Sequence, residues 1–368
     1  MKKVRIGFVG VGCISGIYLQ NITKVFREIE IAGVCDLVRE KAERAAKEYD
    51  IPRVYNDMYE LFADESVDIV LNITRPNEHY EVTKAALLAE KHVYSEKPLA
   101  AELELGLELV ALAKERGLML GGAPDTFMGA GLQTCRKLID DGYIGTPIGC
   151  AARMISRGPD TWHPDPEFFY KNGGGPMMDM GPYYITALIN MLGRIDTVCG
   201  MTNISYPERV FTCKEHFGER TTVETPTSAA GVLRFASGAI GTIYTTFDVS
   251  HTTGAALEVY GSEGTIFCPD PNTFGGDVRL LRNGGGEAKV IPLCFSYPGN
   301  SRALGLADMA KAIQTGRDFR ASCRQTLHVL EVMTSILKSG AEDKFIKIRS
   351  DYERPAPMKN PQITGILD

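Results

Sequence analysis

Two segments of the chain carry residues suited to acid–base chemistry. The first, GGGPMMDMGPYY (173–184), has one acid, Asp179, and a phenol, Tyr183, four residues later. On a continuous helix, residues four apart lie on one face, so both side chains would point into one pocket. Pro182 allows an alternative, a helix that begins at this proline and leaves Asp179 in the loop before it. The sequence does not choose between these arrangements.

The second segment, SEKPLA (95–100), carries Lys97 at the end of a predicted strand. Proline disfavours helical geometry in the residue before it, so Pro98 keeps Lys97 extended. The lysine is therefore predicted to lie on a loop rather than on a helix face. The alternative is a surface lysine beside a proline turn.

A glycine-rich loop follows the first predicted strand, and a helix-like stretch comes after it. Its pattern is Gly10-x-Gly12-x-x-Ser15. The two glycines allow a tight turn and close approach of the backbone to a pyrophosphate, which then lies at the positive end of the helix. We predict a dinucleotide site at Gly10, Gly12, Cys13, Ile14 and Ser15. The alternative is a glycine turn without a ligand.

An acid at the end of the next strand bears on the choice of cofactor. Asp36 could accept hydrogen bonds from the adenosine ribose hydroxyls and would repel a 2′-phosphate, which favours NAD over NADP. Arg39 is close enough in sequence to weaken this inference. The alternative for Asp36 is a helix N-cap.

Strand-like and helix-like segments alternate through the first third of the chain. Short apolar runs lie at 4–9, 31–35, 67–73, 92–94 and 118–120, with amphipathic stretches such as 38–49 and 79–90 between them. This alternation predicts βαβ units around a parallel sheet. We therefore predict an α/β fold with an N-terminal Rossmann dinucleotide-binding domain over residues 1–122.

The remaining residues, 123–368, show a different pattern. Three strand–turn–strand patterns lie at 226–249, 256–269 and 277–293, and helix-like stretches near the end lie at 305–316 and 326–340. Short connections between strands favour antiparallel pairing. We predict a C-terminal α+β domain for substrate binding and oligomerisation, with a large, mainly antiparallel open sheet.

Composition narrows the function classes. The net charge is −6 and no Lys/Arg cluster stands out, whereas nucleic-acid binding needs a basic surface. No segment resembles a membrane span, and glycines interrupt the apolar run at the N-terminus, which argues against a signal peptide. The nine cysteines are scattered without a Cys-x-x-Cys pair. We therefore expect a cytoplasmic protein with no metal site and no nucleic-acid or membrane partner.

Four motifs in this order resemble the Gfo/Idh/MocA family of oxidoreductases. They are GVGCIS (10–15), SEKPLA (95–100), GGGPMMDMGPYY (173–184) and VYGSEGTI (259–266). The resemblance covers nearly the whole chain.

The resemblance implies roles for two loops at strand ends. Lys97 would contact the nicotinamide ribose and the substrate hydroxyl, with Glu96 in the same cofactor-binding signature. Thr74, Asn77 and His79 would line the nicotinamide side. The alternative for His79 is that it simply begins the following helix.

Most members of the family have histidine where this chain has Tyr183. A free tyrosine has a pKa of about 10, so a base near pH 7 to 8 would need this pKa lowered by roughly two to three units, or about 3 to 4 kcal/mol. The ammonium of Lys97 and a positive nicotinamide would supply much of this in a dry site. The glucose-fructose oxidoreductases of the family resemble this chain in using tyrosine.

Five further residues are candidates for substrate contact. Trp162, the only tryptophan, lies beside His163 between prolines, as expected of a loop over a sugar, and Arg153 could donate hydrogen bonds to hydroxyls. The resemblance adds Asp125, at the junction between the predicted domains. Tyr184 follows the phenol of the acid–base segment. The alternatives are ordinary surface positions for the loop residues and helix packing for one tyrosine.

The leading hypothesis is an NAD(P)-dependent oxidoreductase that transfers a hydride between nicotinamide and a hydroxyl carbon of a sugar, polyol or sugar derivative. Tyr183 would take the hydroxyl proton, while Lys97 and Asp179 orient the hydroxyl. One alternative is an NAD-dependent glycosidase that oxidises its sugar transiently. Another is a non-catalytic nucleotide-binding regulator, which only the tyrosine favours. By resemblance we also expect a homodimer or homotetramer.

Overall fold

Two large β-sheets organise the chain, of which the computed structural model describes residues 2–252, 257–360 and 363–368. The first sheet has the strand order β2-β1-β3-β4-β5, and its pairs are parallel. Its strands and connecting helices are β1 (Val4–Val9), α1 (Ser15–Lys24), β2 (Ile29–Cys35), α2 (Arg39–Glu48), α3 (Met58–Ala63), β3 (Ile69–Asn72), α4 (His79–Leu88), β4 (His92–Ser95), α5 (Leu103–Glu115) and β5 (Leu120–Gly122). The predicted Rossmann fold is confirmed, with strand ends within two residues of the predicted ones.

The strand order changes direction beside β1, because the chain runs from β1 to β2 on one side and then crosses to β3 on the other. Parallel strands present their carboxyl ends at one edge of the sheet. Ligands of open α/β sheets bind at this edge, at such a switch point. The loops after β1, β3 and β4 all leave from it, so the fold brings the predicted nucleotide loop close to Lys97.

The second sheet has nine strands in the order β15-β14-β13-β12-β6-β11-β10-β7-β16, and β8 pairs with β9 in a separate ribbon. Among the described strands, β6 and β11 pair in parallel and the other neighbours are antiparallel. The mainly antiparallel sheet is therefore confirmed, although residue 256 of one predicted hairpin lies outside the described residues. The strands are β6 (Pro147–Ile155), β7 (Ile195–Asn203), β8 (Glu208–Val210), β9 (Arg220–Thr222), β10 (Ser228–Phe235), β11 (Ile240–Thr246), β12 (Leu257–Gly261), β13 (Gly264–Phe267), β14 (Val278–Arg282), β15 (Lys289–Ile291) and β16 (Ile346–Lys347).

Helices cover one face of the nine-stranded sheet. They include α6 (Ala130–Asp140), α7 (Gly175–Leu192) and α9 (Cys323–Glu342), whereas α8 (Leu304–Thr315) packs against β5 of the first sheet. α7 packs on β6, β10 and β11, and α9 packs on β7 and β10. The buried residues of the strands alternate with exposed ones, as expected of a sheet with one covered face.

The domain boundary after residue 122 stays a prediction. β5, the last strand of the parallel sheet, ends at Gly122, which supports it. α9 packs against both α5 and β5, as well as against the second sheet. This helix therefore joins the two sheets into one structure and holds α7 opposite the switch-point edge.

Candidate active site

Lys97 and Asp179 form an ion pair between the loop after β4 and helix α7. The Lys97 ammonium donates to Oδ1 of Asp179 and to its backbone oxygen, both at 2.7 Å. The two side chains are only 17% and 21% exposed. Burial lowers the pKa of Lys97, but the charge of Asp179 and its hydrogen bond raise it above the ordinary value. The lysine is therefore a fixed positive charge at neutral pH.

The helix α7 is continuous from Gly175 to Leu192, with Pro182 inside it. The alternative in which the helix begins at Pro182 is therefore wrong. The proline cannot donate the backbone hydrogen bond of its turn, but packing against α9 and three strands supports the helix on several sides. Asp179 and Tyr183 consequently lie one turn apart on one face.

Tyr183 lies beside the ion pair and is almost fully buried. The Lys97 ammonium is 5.2 Å from the centroid of its ring. Burial raises the pKa of Tyr183, and the charges of Lys97 and Arg302 lower it, with burial the larger effect. The phenol therefore keeps its proton at neutral pH, and the protein's own charges do not produce the lowered pKa that a base requires.

Two neighbouring residues fix the loops at the switch point. Glu96 accepts hydrogen bonds from the hydroxyl of Tyr18 on α1, at 2.7 Å, and from the backbone N–H of Lys97, at 2.9 Å. His79 is buried, with Nδ1 2.7 Å from the Pro98 carbonyl oxygen and Nε2 3.1 Å from that of Thr74. Both residues hold in place the loop after β4 that carries Lys97.

His79 is also the first residue of α4, as the alternative reading of the sequence has it. Burial lowers its pKa, so the ring is neutral at pH 7. Because both ring nitrogens face backbone oxygens, the geometry supports a structural role. Contact of His79 with nicotinamide stays a prediction.

Thr74 and Asn77 lie on the loop after β3, at the same edge. The Thr74 hydroxyl donates to Oδ1 of Asn72 at 2.7 Å, which turns the threonine toward the strand end. Asn77 is exposed and lies across from Gly173, at the start of the segment that leads into α7. Both residues are placed along the edge where a nicotinamide is expected, and their contact with it stays a prediction.

The glycine loop fits a pyrophosphate. Gly10 has φ +93°, and a Cβ there would lie 2.7 Å from the backbone oxygen of Ile73, so the turn itself requires glycine. A Cβ at Gly12 would meet none of the described atoms within 4 Å. Packing within the protein therefore does not require glycine at position 12. The space beside Gly12 is open and lies at the N-terminus of α1.

The rest of the loop is arranged around this space. Ser15, in place of the usual third glycine, is buried and its hydroxyl donates to the Gly12 carbonyl at 2.7 Å. Cys13 is exposed, and Ile14 directly precedes the first residue of α1. These residues could hold a dinucleotide phosphate through backbone N–H groups at the helix end.

Asp36 lies directly after β2 and borders the glycine loop. Its two carboxylate oxygens accept hydrogen bonds from the backbone N–H groups of Val11, at 2.6 Å, and Val38, at 2.8 Å. Each oxygen keeps a lone pair for a ribose hydroxyl. Arg39 instead donates to Glu43 at 2.8 Å and to Asn56 at 2.6 Å. The Asp36 carboxylate is thus held where an adenosine ribose is expected, while the Arg39 guanidinium is bound to Glu43 and Asn56.

The loop that carries Trp162 and His163 lies at the opening of the site. Trp162 is 68% exposed, and its ring centroid is 5.3 Å from that of His163. Burial lowers the pKa of His163, and its hydrogen bond to the backbone oxygen of Asp165 opposes this in part. Arg75, on the loop after β3, bonds to Asp165 at 2.7 Å and so connects this opening to the Rossmann domain.

Of the remaining substrate candidates, Asp125 and Tyr184 are buried and Arg153 lies on the sheet, and their contact with a substrate stays a prediction. Asp125 is buried and accepts a hydrogen bond from the Gly305 N–H at 3.0 Å; burial raises its pKa to about 6. Tyr184 is buried and directed away from Tyr183, because adjacent helix residues point in directions about 100° apart. Arg153 is on the exposed face of the sheet, opposite α7, because strand residues alternate between faces.

Sequence reasoning missed Arg302, which lies two residues before the first residue of α8. Its guanidinium donates to the side-chain oxygens of Asn300 and Asn272, each at 2.8 Å, and its charge opposes the burial that raises the pKa of Tyr183. The segment PGNSRALG has no motif that would indicate a site. The only local signal is a charge at the start of an apolar helix.

The described residues include no helix long and apolar enough to cross a membrane. Over the same ranges, no group of three or more His, Cys, Asp or Glu side chains is arranged to hold a metal ion.

A Rossmann sheet edge that faces a buried lysine–aspartate pair is typical of oxidoreductases. Comparison with known proteins specifies the family. Residues 4–122 match the oxidoreductase family with an NAD-binding Rossmann fold, and residues 132–267 match the GFO/IDH/MocA C-terminal domain. The chain belongs to the Gfo/Idh/MocA family, as its motifs predict, and its N-terminal domain is of the NAD-binding Rossmann type.

Curated relatives agree with this, and a solved structure has the same fold. Myo-inositol 2-dehydrogenase of Thermotoga maritima is 27% identical over 265 residues, 72% of this chain and 75% of that protein. 1,5-Anhydro-D-fructose reductase of Ensifer adhaerens is 28% identical over 329 residues, 87% of this chain and 92% of that protein. A levoglucosan dehydrogenase, solved with NADH and L-sorbose, has a TM-score of 0.82 at 19% identity, covering 95% of this chain and 100% of that one.

Proposed function

We propose that the chain is an NAD-dependent dehydrogenase that transfers a hydride between nicotinamide and a hydroxyl carbon of a sugar, polyol or sugar derivative. The observation that carries the proposal is the buried Lys97–Asp179 ion pair at the switch-point edge, with Tyr183 beside it. The relatives named as inositol dehydrogenase and anhydrofructose reductase support this substrate class.

The protein residues would bind the substrate oxygen and move its proton. When bound, the nicotinamide supplies the hydride acceptor or donor. The Lys97 ammonium stabilises negative charge on the substrate oxygen, and Asp179 holds the ammonium in position. Tyr183, protonated at neutral pH, donates its proton to the oxygen in the reducing direction. In the oxidising direction the phenol must first lose this proton, which a positively charged nicotinamide would favour.

We infer a preference for NAD over NADP from Asp36, whose carboxylate would repel a 2′-phosphate. Calorimetry with NAD(H) and NADP(H) tests this together with the class. Asp36→Ala is expected to weaken binding of NAD more than binding of NADP. If the purified protein binds neither dinucleotide, the proposed function is wrong.

Two adjacent tyrosines provide a matched pair for the test of Tyr183. Tyr183→Phe is expected to lower kcat by at least about a hundredfold, because it removes the proton donor, while NAD binding is retained. Tyr184→Phe, a buried change one residue away, should leave kcat within a few-fold. Turnover is measured over a panel of sugars and polyols. Release of free sugar without net NADH formation would instead indicate the glycosidase, and absence of any turnover the regulator.

We further propose a homodimer or homotetramer that pairs through the uncovered face of the nine-stranded sheet. Exposed apolar side chains such as Met201, Val232 and Ile240 lie on this face, beside a groove of about 590 Å³. Light scattering would measure the mass, and Val232→Lys should shift it toward the monomer.

We also propose a cytoplasmic location, because the nine unpaired cysteines are typical of proteins in a reducing compartment.

A further inference from the structure

Arg39 begins α2, three residues after the acid that borders the glycine loop, and its guanidinium is bound to two side chains. Nε donates to Oε1 of Glu43, one turn further along α2, at 2.8 Å, and Nη1 donates to Oδ1 of Asn56 at 2.6 Å. The side chains of Arg39 and Glu43 are 51% and 52% exposed. The guanidinium is therefore engaged at a surface that a ligand can reach.

Asn56 presents its oxygen to this guanidinium because its nitrogen is already bound. The side-chain nitrogen and the backbone N–H of Asn56 both donate to Oε2 of Glu60, at 2.8 and 2.7 Å. Glu60 lies in the first turn of α3, and its own N–H donates to the N-cap Asp57 at 2.8 Å. A side-chain amide has one acceptor oxygen, so this arrangement directs that oxygen to the arginine.

The segment that carries Asn56 runs beside the end of β2. Val54 pairs with Val34 in a parallel bridge, and the N–H of Tyr55 donates to the Val34 carbonyl at 2.9 Å. Asp36 and Asn56 each follow this bridge by two residues. The acid at the expected ribose position and the amide that binds the guanidinium therefore belong to one edge of the first sheet.

The 2′-phosphate of NADP would meet opposing charges at this edge. The Asp36 carboxylate is fixed by two backbone N–H groups and would repel it. A guanidinium suits a phosphate, because it can donate two parallel, charge-assisted hydrogen bonds. Arg39 must first give up its bonds to Glu43 and Asn56 to do so. The choice of cofactor should therefore depend on the partners of the arginine as well as on the acid.

We propose that Glu43 and Asn56 are specificity-determining residues, which keep Arg39 from binding the 2′-phosphate of NADP. Release of the arginine opens a phosphate site beside a position where the wild-type chain favours a ribose hydroxyl. The inference rests on the proposed function, in which Asp36 gives the preference for NAD. It adds a latent NADP site that two side chains hold closed.

Calorimetry with NAD and NADP tests the inference without turnover. The measurement is made at physiological ionic strength, where exposed charges more than about 8 Å apart are largely screened. Exposed ion pairs are weak, so Glu43→Gln and Asn56→Ala should each lower the Kd of NADP by about two- to fivefold. The double variant should lower it by about tenfold, because both bonds are removed. The Kd of NAD should stay within about twofold, because neither change alters Asp36.

Arg39→Met identifies the group responsible for any gain. In the wild type it should change the Kd of NADP by less than about twofold, because the arginine is already engaged. In the Glu43→Gln, Asn56→Ala background it should abolish the gain. Glu40→Gln is the matched control, since it removes the same charge from the first turn of the same helix, and it should leave both affinities unchanged.

Four results would refute the inference. They are an unchanged NADP affinity in the double variant, an equal gain in Glu40→Gln, a gain that survives Arg39→Met, and a wild type that binds NADP as tightly as NAD. Thermal denaturation checks that each variant is folded; if Asn56→Ala is not, Glu43→Gln alone decides the outcome. Failure of the proposed function would appear differently, as a wild type that binds neither dinucleotide.

Discussion

Two ion pairs connect the Rossmann domain to the C-terminal domain at the same distance, 2.7 Å, but in different surroundings. Lys97–Asp179 has side chains about one-fifth exposed, whereas those of Arg75–Asp165 are 68% and 44% exposed. At an effective dielectric constant of 20, the bare attraction at 2.7 Å is about 6 kcal/mol for either pair. The surroundings, rather than the distance, should therefore decide what each pair contributes.

Asp179→Asn and Asp165→Asn test this directly. Asp179→Asn leaves the Lys97 ammonium partly buried without its counter-charge, and removal of one partner of a buried pair typically costs about 3 to 5 kcal/mol. The asparagine oxygen and the retained bond to the backbone oxygen compensate in part, so we expect a loss of about 2 to 4 kcal/mol. Asp165→Asn should cost at most about 1 kcal/mol, because solvent screens an exposed pair.

The assay is urea unfolding of both variants at low salt and at about 1 M NaCl, where the screening length is about 3 Å. The Asp165→Asn effect should disappear in high salt, while the Asp179→Asn effect should largely remain. Equal losses for the two variants, or loss of both effects in high salt, would refute the argument that burial decides the contribution.

Two further predictions concern the glycine loop and the buried carboxyl. Gly12→Ala should leave the melting temperature unchanged, because the new methyl meets only open space, and should weaken NAD binding by tenfold or more, because the methyl would occupy the space expected for the pyrophosphate. Gly10→Ala should lower the melting temperature, because its methyl clashes with the Ile73 backbone oxygen and the residue has a positive φ. Calorimetry and thermal denaturation measure both, and equal melting temperatures would contradict the distinction. Burial raises the pKa of Asp125 to about 6, so the folded state binds more protons than the unfolded state between about pH 4 and pH 6. The free energy of unfolding should therefore fall as pH rises through that window, by about 3 kcal/mol. Asp125→Asn should remove that dependence, as measured by denaturant unfolding at each pH.

Local patterns were enough to predict the parallel sheet and the nucleotide loop. Strand and helix periodicities and the Gly10–Gly12 spacing depend on residues that are close in sequence, because backbone geometry and the helix dipole act locally. The positions of Lys97 and Asp179 could be predicted for the same reason. The motifs also indicated the family, which the comparisons show.

The tertiary structure decided the questions that depend on distant residues. A continuous α7 through Pro182 depends on packing against α9 and the sheet, which overrides the local cost of the proline. Asp125 and Tyr184 are buried, and strand alternation placed Arg153 on the exposed face of the sheet. The charge of Arg302 acts on Tyr183 although α7 begins at Gly175 and α8 only at Leu304. Electrostatic interaction depends on distance in space, so no local pattern could have indicated this cation.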